Sequence, residues 1–565
     1  MRSYARAVGL ILGATSVLLS CARAPAPSYD VVLRGGTVYD GTGGSPQVAD
    51  IGLRGDRIAV IGDLAGATAA LDLDARGLAV APGFINMLSW ATDSLILDGR
   101  SMSEIRQGVT LEVFGEGVSY GPVNERVRTF LTEQLPPEFD YDVTWTTLSG
   151  YLEHLVSRGV STNVASFVGA TTLRIHAVGF DDRPPTTEEL QTMRDLARQA
   201  MEEGALGVGS SLIYAPAFYA ETEELIELAR IAAAYDGMYI SHLRSEGDRL
   251  LEGVYELIRI ARESGARAEI YHLKAAGEAN WPKLDAAIAA VERARADGLA
   301  ITADMYTYTA GATGLDAAMP PWVQEGGFET WSGRLGDPAI RLRVAAEMEA
   351  AGDGWENLMH AAGPDGMLLV SFRNAALRHL RGRTLADVAR ERGRSPAETA
   401  MDLVVEDGSR VGTVYFLMSE ENVRRQIRLP WVSFGSDEAS QAPEPPFLEF
   451  SPHPRAYGTF ARLLGRYVRE ERLIPLEEAI RRVTSLPAQN LGLRDRGVLA
   501  AGRFADVVVF DPATVQDHAT YKEPHRYATG VIHVFVNGIP VLRDGEHTGA
   551  TPGRVVRGPG WRGES

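Results

Sequence analysis

The sequence predicts an α/β protein: a (β/α)8 TIM-like barrel with a small β-sandwich domain built from both chain ends. Strand-like apolar runs followed by helical patterns recur through the middle of the chain, as a parallel barrel requires. Both ends consist of short strand-like runs separated by Gly-rich turns, so we expect them to meet in one domain. With 565 residues, the chain is long enough for a barrel of about 250 residues, an insertion and a second domain.

The barrel is predicted over residues 83–490, between an N-terminal part of the sandwich at 29–82 and a C-terminal part at 491–565. Each predicted barrel strand is an apolar run that precedes a helical pattern. The eight runs are 83–87, 110–114, 164–168, 205–210, 238–242, 268–272, 300–305 and 431–434.

An insertion is predicted before the last barrel strand. The strands are regularly spaced until residue 305, after which about 125 residues pass before the last predicted strand begins at residue 431. We therefore expect an inserted subdomain at about 310–428, with helices at 339–351 and 395–406.

The composition is that of an acidic globular protein. Apolar residues make up 45% of the chain and charged residues 23%. Lys and Arg number 56 against 74 Asp and Glu, a net charge of −18, which repels polyanions and disfavours nucleic-acid binding. Cys21 is the only cysteine, which excludes intramolecular disulfides and a thiolate metal site in the body of the protein.

The N-terminus has the pattern of an export signal. Arg2 and Arg6 precede an apolar stretch at 7–19 that is short for a membrane span but suits the core of a signal peptide. The stretch leads into Leu-Leu-Ser-Cys at Cys21, which resembles the lipobox of bacterial lipoproteins. We expect residues 1–28 to be a lipoprotein signal and tether, and the protein to be exported and lipid-anchored at the periplasmic face of the cell envelope. An ordinary signal peptide cut elsewhere is the alternative.

Two histidines, His242 and His272, follow consecutive strand-like runs separated by a helical pattern. We expect them at equivalent positions on neighbouring parallel strands, at the barrel end that carries catalytic and metal-binding side chains. Glu116 and Asp437 end two further predicted strands. Two imidazoles and two carboxylates would then converge on a hydrolytic metal site. Taken singly, each histidine also fits a hydrogen-bonded core residue, and each carboxylate an ordinary turn.

Several motifs point to a known group of enzymes. The run from Val80 to Ile85, at the entry to the first barrel strand, resembles the amidohydrolase superfamily. Within this superfamily, the chain resembles the N-acyl-D-amino-acid deacylase (D-aminoacylase) family, whose motifs occur in the same order from about residue 30 to residue 555. The motifs that carry this resemblance are Gln107-Gly108-Val109-Thr110, Gly204-Ala205-Leu206-Gly207, Ser241 to Asp248, His272-Leu273-Lys274, Asp304 to Ala310, Gly435-Ser436-Asp437 and His453 to Thr459.

The resemblance implies roles for individual residues. His242 and His272 match the imidazole ligands of a tightly held zinc ion, and Asp437 matches the catalytic aspartate that activates the attacking water. The residues that match the positions holding the substrate carboxylate are Lys274, Tyr306 and Arg455.

The chain departs from the family pattern at three places. Residues 86–89 read Asn-Met-Leu-Ser where the family has His-x-His, so a second metal site is not expected. Glu116 stands where these enzymes commonly present a cysteine ligand; a carboxylate with two histidines is a recognised catalytic zinc set, and loss of the metal is the alternative. We therefore expect one Zn²⁺ per chain, held by Glu116, His242 and His272. Ala312 replaces a serine of the carboxylate pocket, which leaves the anionic group of the substrate open.

These observations predict a metal-dependent hydrolase that cleaves the amide bond of small N-acyl amino acids by attack of metal-activated water. The resemblance implies the D form of the substrate. A dipeptidase or a cyclic-amide hydrolase on the same scaffold is the nearest alternative, and a catalytically inactive binding lipoprotein is another. The acyl chain, the amino-acid side chain and the oligomeric state do not follow from the sequence.

Overall fold

The computed structural model describes residue 1 and residues 28–133, 135–352 and 354–563. Cys21 lies outside these ranges, so the lipid anchor stays a prediction. Within the described ranges, no helix has both the length and the apolar character needed to cross a membrane.

Strands and helices alternate through the middle of the chain, whereas both ends consist mainly of strands. The strands are β1 (Ser28–Val38), β2 (Gln47–Arg54), β3 (Arg57–Gly62), β4 (Thr68–Asp74), β5 (Ala79–Pro82), β6 (Phe84–Asn86), β7 (Val109–Phe114), β8 (Asn163–Ser166), β9 (Val168–Gly169), β10 (Gly207–Ser211), β11 (Met238–His242), β12 (Arg267–Ile270), β13 (Ile301–Met305), β14 (Ala310–Gly314), β15 (Met367–Ser371), β16 (Gly412–Phe416), β17 (Val432–Phe434), β18 (Val507–Phe510), β19 (Val531–Val536), β20 (Ile539–Arg543) and β21 (Glu546–His547).

The α-helices are α1 (Ser94–Leu97), α2 (Met102–Ile105), α3 (Glu125–Thr132), α4 (Leu148–Arg158), α5 (Ala170–Ala177), α6 (Thr187–Glu202), α7 (Thr222–Ala234), α8 (Leu250–Ser264), α9 (Leu284–Ala296), α10 (Phe328–Arg334), α11 (Pro338–Glu349), α12 (Leu358–Ala362), α13 (Leu385–Arg392), α14 (Pro396–Asp407), α15 (Glu420–Ile427), α16 (Arg455–Arg462), α17 (Leu476–Val483) and α18 (Ser485–Leu491).

The predicted barrel strands are present and parallel, which confirms the fold class. β6, β7 and β8 form one parallel sheet, and β9, β10, β11, β12, β13 and β17 form another. Only Phe167 separates β8 from β9, and its N–H donates to the Phe114 carbonyl at 2.9 Å. On the other side, the Met87 N–H donates to the Phe434 carbonyl at 3.3 Å. The first and last strands therefore lie side by side, and the strands follow one another around the barrel in chain order.

Helix α8 illustrates how sequence pattern places the outer helices. Leu250, Val254, Leu257 and Ala261 recur at a helical spacing and are buried, so one stripe of the helix packs against the barrel. The helix ends at Ser264 and is capped by Gly265, whose φ of 77° suits a residue without a Cβ atom. The next strand, β12, begins two residues later and carries the chain toward His272.

The insertion lies between β13 and β17. Its strands β14, β16 and β15 form an antiparallel sheet, and the two helices expected at 339–351 and 395–406 correspond to α11 and α14. The insertion has a buried apolar cluster of its own, which includes Met348, Leu369 and Met401.

The two chain ends share one nine-stranded sheet. β1 to β5 come from the N-terminal part and β18 to β21 from the C-terminal part, and antiparallel pairing of β5 with β18 joins them. β1 is long enough to pair with β2, β4 and β5, with a register shift between Leu33 and Gly36. Val31 and Ile51 pack with Val507 in one buried cluster.

Candidate active site

A cavity of about 450 Å³ is lined by residues that follow the barrel strands and by residues of the insertion, including Thr313 and Trp331. The insertion therefore supplies part of the wall that faces the barrel mouth. The sequence-predicted metal, catalytic and substrate-binding residues all line this cavity: Glu116, His242, His272, Lys274, Tyr306, Asp437 and Arg455.

Glu116, His242 and His272 form a set that fits a divalent metal ion. Each is buried, and one ligand atom from each lies within 4.8 Å of the others. The Nδ1 of His242 is 2.9 Å from the Leu243 carbonyl and donates to it, which leaves the Nε2 lone pair free for a metal. Burial lowers the pKa of His242, so its ring is neutral near pH 7, as a ligand must be. One carboxylate and two imidazoles are the donor types that zinc prefers.

His272 reaches this set by a route that strand geometry alone does not predict. Ser241 pairs with Ile270, so the register places His242 opposite Tyr271 rather than His272. His272 lies beyond the end of β12 with a φ of 32°, and its backbone N–H donates to Asp304 Oδ1 at 2.8 Å. The expectation of equivalent strand positions is therefore wrong by one residue. The left-handed turn nevertheless brings His272 Nε2 to 2.9 Å from Glu116 Oε1.

Asp437 follows β17 and also adopts a left-handed conformation, with a φ of 52°. Its Oδ2 is 2.7 Å from Arg455 Nη1, and its Oδ1 accepts a hydrogen bond from the Trp90 indole at 3.2 Å. Burial raises the pKa of the Asp437 carboxyl, while Arg455 opposes that rise. A carboxylate with a raised pKa is a better proton acceptor.

Lys274 and Arg455, the two predicted carboxylate-binding cations, each have a carboxylate partner within the chain. Lys274 Nζ donates to Glu246 Oε1 at 2.6 Å, and Arg455 pairs with Asp437. The Arg455 guanidinium carbon also lies 4.5 Å from the centre of the Tyr306 ring. A substrate carboxylate bound by these groups would therefore share them with Glu246 and Asp437.

Glu246 is a site residue to which sequence reasoning gave no role. It is buried, and its Oε1 lies 2.9 Å from His272 Nδ1 in addition to its contact with Lys274. Burial acts to raise the pKa of Glu246, but His242, Lys274 and His272 hold it well below its usual range. The available signal was a carboxylate four residues after His242 in the Ser241 to Asp248 motif.

Trp90 is the second residue that sequence reasoning missed. Its indole N–H donates to Glu116 Oε2 at 3.0 Å as well as to Asp437. No pattern in the sequence links it to either carboxylate, because Asp437 lies 347 residues away along the chain.

Comparison with known proteins identifies the family of this chain. Residues 156–542 match the model of the amidohydrolase family. A D-aminoacylase of Alcaligenes xylosoxydans xylosoxydans is 35% identical over 94% of this chain and 97% of its own length. Among solved structures, a D-aminoacylase with a binuclear metal centre superposes with a TM-score of 0.78 and 32% identity, covering 94% of this chain and 100% of the other.

An N-acyl-D-glutamate deacylase from Bordetella bronchiseptica, in complex with zinc and a phosphonate inhibitor, is 32% identical with a TM-score of 0.77. It too covers 94% of this chain, and all of its own chain is matched. These similarities extend across the barrel, the insertion and the β-domain. This chain therefore belongs to the amidohydrolase family, within the N-acyl-D-amino-acid deacylases, and is a hydrolase of carbon–nitrogen bonds other than peptide bonds.

Proposed function

We propose that this protein hydrolyses the amide bond of N-acyl-D-amino acids with the help of one bound zinc ion. The observation that carries this proposal is the convergence of three buried metal donors and Asp437 on one cavity. The similarity to D-aminoacylase over nearly the whole chain supports the substrate class.

Glu116, His242 and His272 would hold the metal. Zinc, when bound, would polarise the acyl carbonyl and lower the pKa of a water molecule to near neutrality. The three residues offer one carboxylate and two imidazoles, a donor set found in catalytic zinc sites.

Asp437 would move the proton. Its two oxygens interact with Arg455 and with the Trp90 indole, and each oxygen keeps a further lone pair. One of them accepts the proton of the attacking water, and Asp437 then passes this proton to the leaving nitrogen. Arg455 keeps the carboxylate oriented through these steps.

Lys274, Tyr306 and Arg455 would bind the carboxylate of the substrate. Lys274 Nζ is 2.6 Å from His272 Nδ1, so a carboxylate on Lys274 lies next to the metal donors. With the carboxylate fixed there and the acyl carbonyl at the metal, the two enantiomers point their side chains in different directions. The similarity to a D-aminoacylase and to an N-acyl-D-glutamate deacylase favours the D form.

Turnover of matched D and L substrates tests this proposal. We expect the purified protein to hydrolyse N-acetyl-D-amino acids faster than their L counterparts, to lose activity on chelation and to regain it with zinc. Preference for the L form would exclude the D assignment. Bound metal without turnover on a broad panel would instead identify a binding protein.

We also propose that the protein is exported and held at the periplasmic face of the bacterial envelope through acylated Cys21. The support for this is the Leu-Leu-Ser-Cys sequence after the apolar stretch at 7–19.

A further inference from the structure

The geometry points to Trp90 as a positioning residue that ties the ligand carboxylate to the catalytic carboxylate. We propose that one indole N–H bridges Glu116 and Asp437 and fixes the distance and orientation between them. This inference rests on the roles given to those two residues in the proposed function. Trp90 follows β6 and lies partly buried in the cavity wall.

The bridge is a three-centre hydrogen bond. Trp90 Nε1 lies 3.0 Å from Glu116 Oε2 and 3.2 Å from Asp437 Oδ1. An indole has one N–H and no acceptor, so both contacts use the same proton. The ring is also neutral. It can therefore hold two carboxylates beside a metal cation without the repulsion that a Lys or Arg side chain would introduce there.

The backbone holds Trp90 in register with Asp437. The Asp437 N–H donates to the Leu88 carbonyl at 2.8 Å, and the Trp90 N–H donates to the Glu438 carbonyl at 3.0 Å. Ser89 and Glu438 form a parallel bridge between the same two segments. The indole and the catalytic carboxylate are thus carried on two paired segments, so the ring can set the side-chain angle of Asp437.

The two oxygens of Glu116 have different partners, and the indole contacts only one of them. Oε1 lies 2.9 Å from His272 Nε2 and faces the other metal donors, whereas Oε2 accepts from the indole. Glu116 is therefore oriented to offer a single oxygen to a metal. Partners of this kind, which orient a ligand through its second atom, typically contribute 10- to 100-fold to metal affinity or activity.

Three variants separate hydrogen donation from ring packing. Trp90→Phe keeps an aromatic ring and removes the N–H. Trp90→Gln places an N–H donor the same number of bonds from Cβ as the indole nitrogen. Trp322→Phe is the matched control, because the Trp322 indole donates to a carboxylate, Glu347 Oε2, at 2.8 Å but lies in the insertion and does not line the cavity.

We expect Trp90→Phe to lower kcat about 10- to 100-fold, with a smaller change in KM, and to release zinc to a competing chelator about tenfold faster. Trp90→Gln should recover part of both losses, and Trp322→Phe should leave both values near wild type. The chelator measurement needs no substrate, so it tests the bridge even if N-acyl-D-amino acids prove not to be hydrolysed.

Two results would overturn the inference. The first is a Trp90→Phe protein whose kcat and zinc release match those of Trp322→Phe, or which changes KM alone, because the ring would then be only a wall of the cavity. The second result is measured on Trp90→Gln, so it can be obtained even if Trp90→Phe does not fold. A folded Gln variant with wild-type melting temperature but no zinc retention and no turnover would show that donation to these carboxylates is not what Trp90 contributes.

Discussion

Replacing Asp437 with Asn tests the proposed proton transfer most directly. Asn keeps the shape of the side chain, but it has one acceptor oxygen where Asp437 uses two for Arg455 and Trp90, and it cannot take up a proton. General acid–base catalysis contributes about 10²- to 10⁴-fold, so kcat should fall by that factor, or about 3 to 5.5 kcal/mol in the barrier. Zinc content should stay at the wild-type level, because Asp437 is not one of the three clustered donors.

The structure also bounds the effect of this substitution on folding. Breaking an isolated buried ion pair costs about 3 to 5 kcal/mol because it leaves a charge without a partner. Arg455 keeps a second carboxylate, with its Nε 3.5 Å from Glu438 Oε2, so Asp437→Asn should destabilise the fold by less than that. A melting curve that shows a folded variant is therefore expected, and the loss of kcat can be assigned to chemistry.

The matched control is Glu438→Gln. This change removes the other carboxylate from Arg455 and leaves Asp437 in place, so it should reduce kcat much less than Asp437→Asn. Turnover with a saturating N-acetyl-D-amino acid, zinc analysis and melting temperature are measured for both proteins. An Asp437→Asn enzyme that keeps more than a tenth of the wild-type kcat, or a Glu438→Gln enzyme that loses as much, would refute the assignment of the base.

Four further outcomes are expected. His272→Ala should lose the metal, and elemental analysis of the wild type should give about one zinc per chain, whereas two tightly held metals would contradict the three-donor site. Lys274→Met should lower kcat/KM for an N-acyl amino acid about 10- to 100-fold but hardly affect the matching N-acyl amine, which has no carboxylate. Equal losses on both substrates would show that Lys274 instead supports Glu246 and the proposed metal donors. Cys21→Ala should move the protein out of the membrane fraction, and unchanged fractionation would argue against acylation. Burial raises the pKa of Glu269 to about 7. Between about pH 4.5 and 7 the Glu269 carboxyl is ionised in the unfolded chain but still protonated in the folded protein, so the free energy of unfolding should fall as the pH rises. Denaturant unfolding at several pH values should show this fall in the wild type and a flatter dependence in Glu269→Gln.

The sequence predicts the barrel well because its strands are short, buried runs separated by amphipathic helices such as α8. It also predicts the convergence of Glu116, His242, His272 and Asp437, since the carboxyl ends of parallel strands meet at one mouth. The sequence does not predict the backbone geometry that brings His272 to this site. The one-residue offset in register and the left-handed turn depend on tertiary contacts that periodicity does not encode.

The contacts of Glu246 and Trp90 were not predictable for a different reason. Glu246 lies in a loop where no strand or helix period fixes the direction of a side chain. Trp90 acts through residues far away along the chain, and an indole beside an apolar run is read first as a core residue. Residues that hold other functional groups in place can therefore be identified only from the folded structure, in which distant segments lie together.

The separate apolar core of the insertion has a consequence for how substrate preference can change. The proposed metal donors and the proposed base stand on the barrel, whereas Thr313 and Trp331 in the cavity wall belong to a unit that is stabilised by its own buried cluster. Substitutions in that unit can alter the space offered to the acyl chain or side chain while the reacting groups keep their positions. New specificities can thus evolve, or be selected in the laboratory, by changing the insertion alone.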